Sequence, residues 1–239
     1  MILAPLIVIW VVLVTIFFST AAIIFSFIAK DAAVINKIAT TWARLILAAS
    51  RIKVQVIGLS NINPSKSYIY MSNHQGNFDI PILQACLPVQ FRWLAKAELF
   101  NIPVFGYAMK RAGNISIDRS NRQSAFKSLR NAAKVIRNGV SVLIFPEGTR
   151  SNDGNIREFK KGGFILALDS GVPIVPVITH GLWELMLKNK VLAKPGKVLI
   201  EIKKPVESAC YNRKTKDNLL KEVRYIICES FYNKKREKQ

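Results

Sequence analysis

Ser72-Asn73-His74-Gln75-Gly76-Asn77-Phe78-Asp79-Ile80-Pro81 follows the apolar run Tyr68–Ser72 and leads into a helical pattern at Pro81–Leu87. An apolar run of strand length breaks at polar residues and a glycine, and a proline then opens a helix, so the segment reads as strand, turn, helix. The same alternation recurs on both sides. Further strands are expected at Lys53–Ile57, Phe91–Ala95, Ile115–Ile117, Val140–Phe145, Ile174–Ile178 and Val198–Ile202. Between them fall helical patterns at Val104–Lys110, Ser120–Arg137 and Gly163–Leu168. Strands alternating with helices predict an α/β sheet covered on both faces. From Lys214 to about Tyr232, the residues Leu219, Val223, Ile226, Ile227 and Phe231 share one face, which predicts a docked C-terminal helix followed by a basic end.

The N-terminus is of another kind. Ile2 to Ala29 form a run of 28 residues without an ionisable side chain. At about 1.5 Å per residue, a helix of that length exceeds the roughly 30 Å of a bilayer's hydrocarbon core. A cleaved signal peptide would want a basic start and an apolar stretch of only about 7–15 residues; no Lys or Arg precedes this run, so retention is expected. The first cations beyond it are Lys30, Lys37, Arg44, Arg51 and Lys53, a bias that puts the body on the cytoplasmic side of the inner membrane. A second helical pattern runs to about Ser50, with Lys37, Arg44 and Arg51 seven apart. That spacing makes a narrow basic seam suited to headgroups; packing on the soluble body is the alternative.

Composition fits this layout. In 239 residues, 35 Lys and Arg stand against 15 Asp and Glu, a net charge of +20, while half the residues are hydrophobic. This disfavours a disordered chain and calls for an anionic partner. Cys86, Cys210 and Cys228 are odd in number and widely spaced, so neither a disulfide framework nor a zinc ribbon is implied. On the Ser120–Arg137 helix, Lys127, Arg130, Lys134 and Arg137 lie within about 80° of one another, opposite Leu129, Ala132, Ala133 and Ile136. Such a face suits anionic lipid or an acidic carrier protein, or is simply solvated.

Chemistry concentrates around one of only two histidines. On a continuous helix, residues five apart differ by about 140° and cannot meet, so a strand–turn–helix path is what can return Asp79 to His74. A carboxylate at a helix N-terminus stays ionised and can hold one imidazole N–H, leaving the other nitrogen to accept a proton. No G-x-S-x-G elbow is present, so the expected target is a substrate hydroxyl rather than an enzyme nucleophile. Two histidines without a carboxylate or cysteine cluster supply too few ligands for a metal. Gly113–Arg119 and Phe145–Ser151 each end a strand with a guanidinium, where ligands of open α/β sheets collect. Arg119 and Arg150 can grip a phosphate and Glu147 can accept hydrogen bonds from a polyol; loop-tying ion pairs, Asp118–Arg119 or Glu147–Arg150, are the alternative.

Asn73-His74 through Asp79, Gly113–Arg119, Phe145–Ser151 and Val172-Pro173-Ile174-Val175-Pro176-Val177 resemble the four ordered motifs of the glycerolipid acyltransferase family, within it the bacterial 1-acyl-sn-glycerol-3-phosphate branch. Lys96-Ala97-Glu98-Leu99 resembles a further stretch of that family. The resemblance implies a mixed sheet flanked by helices, with a two-helix membrane anchor over residues 1–50 and a catalytic domain over 51–239. It also implies acyl transfer from acyl-CoA or an acyl carrier protein thioester to the 2-hydroxyl of lysophosphatidic acid, at a membrane. His74 would be the base, Asp79 its orienting partner and Lys96 an oxyanion stabiliser. Arg119, Glu147, Gly148, Thr149 and Arg150 would bind the acceptor, with no metal, cofactor or acyl-enzyme required. Glycerol 3-phosphate or another lysolipid is an alternative acceptor. A non-catalytic adaptor for anionic lipid would explain the charge and the anchor without needing His74 and Asp79. Nucleic acid is disfavoured, because the aromatic residues are not interleaved with the basic ones as stacking platforms.

Overall fold

The computed structural model describes residues 3–28, 32–118, 122–186 and 193–237. All seven expected strands form: β1 (Ile52–Ile57), β2 (Ile69–Ser72), β3 (Phe91–Lys96), β4 (Ile115–Ile117), β5 (Ser141–Ile144), β6 (Ile174–His180) and β7 (Gly196–Ile202). The helices are α1 (Leu3–Ile28), α2 (Ala32–Ala49), α3 (Asp79–Cys86), α4 (Phe105–Arg111), α5 (Arg122–Arg137), α6 (Gly162–Ser170), the short α7 (Leu182–Leu185) and α8 (Lys216–Arg236). Only α7 lacked an expectation; at four residues it is too short to show a period.

The strands form one mixed sheet in the order β1-β7-β6-β2-β5-β3-β4. From β6 to β4 neighbours run parallel, whereas β7 is antiparallel to β6 and carries β1 beside it. Every residue of β2, β5 and β6 is buried, as parallel strands covered on both faces require. Alternation along these strands divides the core in two. Ile69 and Met71 of β2 face a layer containing Leu129, Ala132 and Ile136 of α5, Phe164 and Leu166 of α6, and Leu219, Val223 and Ile227 of α8. Tyr68 and Tyr70 face the other way, onto Ile46 and Leu47 of α2 and Ile82 and Leu83 of α3.

On that second side α2 lies between α1 and α3. Trp42 donates its indole N–H to Thr15 Oγ1 at 3.0 Å, and Gln84 of α3 donates to Asn36 Oδ1 at 3.2 Å. Thus α2 packs on the body through Ile46 and Leu47 while Lys37, Arg44 and Arg51 stay exposed. By length and apolarity one candidate for crossing a membrane is present among the described residues, Pro5–Ile28 in α1, and it is only 17% buried. Leu6, Ile9, Leu13, Phe17, Ile24 and Phe27 are among the apolar side chains it exposes. Arg111 of α4 reaches back to α1, bonding Ser26 and lying over the Phe27 ring at 4.2 Å.

Candidate active site

Because β6, β2, β5, β3 and β4 are parallel, their carboxyl ends share one edge, and the loops that carry the sequence motifs gather there. The turn after β2 is fixed first. Asn73 is fully buried; its amide donates to the Thr179 carbonyl at 3.0 Å and its carbonyl accepts the Thr179 N–H at 2.8 Å, clamping the turn to β6. The sequence placed Asn73 in a motif without a role, since its partner lies more than a hundred residues away.

Asp79 opens α3 and points back into the turn. One oxygen, Oδ2, accepts the N–H of Gln75 at 2.6 Å, the N–H of Gly76 at 2.8 Å, and sits 2.8 Å from His74 Nδ1. The strand–turn–helix path therefore does bring together residues that a helix would separate. Asp79 is completely buried and the His74 side chain is 15% exposed, so the carboxylate is sealed behind an imidazole that still reaches the surface. With Nδ1 committed to Asp79, Nε2 is the nitrogen offered outward. The ring lies flat on Phe145, 3.9 Å between centroids and 6° between planes, and Phe145 in turn contacts Trp93 at 5.9 Å. This stacking fixes the imidazole's orientation; its signal in the sequence was an aromatic residue at the end of the most apolar strand.

Glu147, expected to accept hydrogen bonds from a polyol, lies on the loop beyond β5. It is 1% exposed, with Oε1 taking the His74 N–H at 2.7 Å and Oε2 the Arg157 N–H at 2.8 Å. It does not pair with Arg150; through these contacts it braces the histidine turn against the loop beyond β5. Burial pushes its carboxyl above the usual glutamate range, against the downward pull of those two N–H groups. Gly148, at φ +73°, supplies the left-handed turn that lets the chain fold back here. The Ser151 N–H then donates to the His74 carbonyl at 2.8 Å, a second tie between the loops.

Thr149 and Arg150 are exposed on this loop. The Arg150 guanidinium donates to Asn77 Oδ1 at 2.5 Å, which puts a fork-shaped cation three residues from His74. Lys96 ends β3 along the same edge, but its ammonium is 2.6 Å from Glu98 with both side chains more than half exposed. Arg119 lies outside the described residues. Among the described residues, no three His, Cys, Asp or Glu side chains gather as a metal-ligand set.

Between α1, α2, α3, β3 and α4 lies a largely apolar cavity of about 890 Å³ including its open mouth; Ile80, which follows Asp79 in the chain, is part of its wall. Phe18, Ala22, Ile35, Ile38, Phe105 and Met109 form its walls, and Ile80 and Trp93 join them to the histidine turn and to Phe145. Ser19, Asn36, Gln84, Arg92 and Asn114 are the polar members of the wall, and Gln84 accepts the Trp93 indole N–H at 3.0 Å. The His74–Asp79 pair and the exposed Arg150 guanidinium thus share one turn, and Ile80 and Trp93 lead from it toward the apolar cavity.

Comparison with known proteins gives the same direction. A family model described as acyltransferase matches residues 53–180. The chloroplastic 1-acyl-sn-glycerol-3-phosphate acyltransferase BAT2 of Brassica napus is 35% identical over 195 residues, covering 81% of this chain and 55% of that protein. A 1-acyl-sn-glycerol-3-phosphate acyltransferase of Haemophilus influenzae is 35% identical over 152 residues, 63% of this chain and 61% of its own length. The chain spans about half the length of the first of these curated relatives. In three dimensions it is similar to the crystal structure of the 1-acyl-sn-glycerophosphate (LPA) acyltransferase PlsC from Thermotoga maritima. That likeness has a TM-score of 0.82 at 28% identity, covering 96% of this chain and 94% of that one.

Proposed function

The chain belongs to the acyltransferase family, and from that membership we propose that it transfers a fatty acyl group from an acyl thioester to the 2-hydroxyl of lysophosphatidic acid, giving phosphatidic acid. The observation that carries the reading is the His74–Asp79 pair, with its carboxylate buried and its imidazole partly exposed, and Arg150 bonded to Asn77 in the same turn. His74 Nε2 takes the proton of the 2-hydroxyl as that oxygen attacks the thioester carbonyl. The tetrahedral intermediate collapses by breaking the C–S bond, and the imidazolium returns its proton to the departing thiolate. Asp79 holds Nδ1–H throughout and stabilises the transient positive charge. No enzyme nucleophile enters this sequence.

Arg150, together with Arg119 on the strength of its motif, is assigned to the acceptor's phosphate. The cavity is assigned to an acyl chain, since most of its lining surface is apolar. Holding a charged head at one end and a tail at the other aligns the hydroxyl, which removes much of the entropic barrier. Glu147 and Gly148 serve by shaping the loops, and Thr149 lies beside Arg150 on the acceptor side.

Residues 1–50 form the membrane unit in this reading and residues 51–239 the catalytic one, with α2 fastened to both. An exposed apolar α1 favours insertion over burial in a soluble core. The cations flanking it favour the cytoplasmic side of the inner membrane.

The test is acyl transfer by the detergent-solubilised protein, offered lysophosphatidic acid, its dephosphorylated counterpart and glycerol 3-phosphate, with an acyl thioester as donor. Product from lysophosphatidic acid, with a large drop when the phosphate is removed, is expected. Turnover of glycerol 3-phosphate alone would move the acceptor, and silence with every acceptor in folded protein would end the enzymatic reading.

A further inference from the structure

Helix α5 carries no Asp or Glu. Its buried stripe of Leu129, Ala132 and Ile136 packs onto the sheet, and Lys127, Arg130 and Lys134 stand exposed on the opposite face. Among the described residues, none of these three is in an ion pair, so their charge is not cancelled locally. A solvated helix face usually mixes signs; one of a single sign creates a field.

Where that face points limits what can meet it. The α5 layer and the layer holding α1 and α2 cover opposite faces of the sheet. A bilayer receiving the apolar side of α1 is therefore on the far side of the protein from Lys127, Arg130 and Lys134. A coenzyme is a small ligand and wants a concave site, which a convex helix surface does not offer. An acidic protein is the remaining anion, and a broad one-sign face is suited to steering it. Position agrees. The chain enters α5 from the carboxyl end of β4, so the first turns of α5 lie toward the edge that carries His74 and Arg150.

We propose that the outer face of α5, through Lys127, Arg130 and Lys134, docks an acidic acyl carrier protein, whose flexible thioester arm then reaches the site from the side away from the membrane. This rests on the reading of the protein as a thioester-dependent acyltransferase and names its donor.

The experiment compares wild type with two triple variants, Lys127→Glu/Arg130→Glu/Lys134→Glu and the milder Lys127→Gln/Arg130→Gln/Lys134→Gln. Each is assayed with palmitoyl-acyl carrier protein and with palmitoyl-CoA, and for partition onto phosphatidylglycerol vesicles. The reversed variant is expected to raise KM for the carrier-protein donor by about tenfold or more at low salt, with the neutral variant in between. The difference should shrink as salt shortens the screening length to about 10 Å and below. Palmitoyl-CoA kinetics and vesicle binding should not move. Equal losses with both donors would overturn the proposal, as would lost vesicle binding with unchanged donor kinetics, or a wild type that uses palmitoyl-CoA but not the carrier protein. Silence with both donors would instead overturn the enzymatic reading. Docking would then be read by titrating palmitoyl-acyl carrier protein onto the protein: salt-sensitive binding lost in the reversed variant sustains it, and no binding to wild type ends it.

Discussion

The chain's two histidines each lie against a carboxylate, His74 2.8 Å from Asp79 and His180 3.1 Å from Glu201, yet the pairs are built for different ends. His180 closes β6, is 4% exposed, and stacks on Phe231 of α8 with 13° between planes. Its Glu201 also accepts bonds from Lys203 and Ser230, so the cluster ties β6, β7 and α8 into one unit. At His74 the carboxylate is the buried partner and the imidazole is the one that faces out. Proximity of histidine and acid is common to both. What separates a base from a tie is which partner is sealed and what the ring's remaining edge can touch.

The sharpest way to break this contrast is His74→Ala. General-base catalysis contributes about 10²–10⁴-fold, and a loss of kcat in that range is expected while the unfolding midpoint stays near wild type. The matching His180→Ala should do the reverse. Removing a buried ring and its hydrogen bond costs about 2–4 kcal/mol, roughly 5–10 °C in midpoint, with kcat per folded molecule close to wild type. Next in size is Asp79→Asn, which offers an N–H where His74 Nδ1 must donate and favours the wrong tautomer. A kcat loss of about 10²-fold or more is expected, and steady-state assays at saturating substrate would measure it.

Arg150→Ala sharpens the comparison from the substrate side. Losing a charge-assisted contact worth about 1.5–3 kcal/mol should raise KM for the phosphorylated acceptor by roughly ten- to hundredfold. The effect on a phosphate-free acceptor should be small. Smaller again is the pH effect at Glu147. Burial holds its folded-state pKa above the unfolded value, so between those two values the folded protein binds more protons. Wild type should therefore gain stability relative to Glu147→Gln as pH falls through that window, and lose the gain as pH rises; denaturant midpoints across pH read this directly. Last, burial pushes the thiols of Cys86 and Cys228 up, whereas Cys210 is exposed. At neutral pH a thiol reagent should modify Cys210 well before the other two.

Much of this was readable along the chain because it is local. The seven strands announced themselves as short apolar runs bounded by turn residues, and His74 met Asp79 because strand, turn and helix lie within ten residues. The contacts that the sequence did not show depend on distance in space. Glu147 looked like a ligand in Phe145–Ser151, but its partners are the backbone N–H groups of His74 and Arg157, and no side-chain pattern encodes a backbone donor. Asn73 clamps Thr179 across 106 positions, and the antiparallel place of β7 beside β6 is likewise a matter of pairing rather than of period. Lys96 pairs with a neighbour two residues on, a competition that a motif match does not weigh. Helix α2 shows both expected features at once, its basic seam exposed and its apolar side on the body.

The most direct measurement is turnover of His74→Ala beside His180→Ala, in one assay with lysophosphatidic acid and an acyl thioester saturating, and folded fraction determined for each by near-ultraviolet circular dichroism. The account predicts that folded His74→Ala loses at least about 10²-fold in kcat while folded His180→Ala keeps most of it. Full activity in folded His74→Ala, or an equal loss in the two variants, would contradict it.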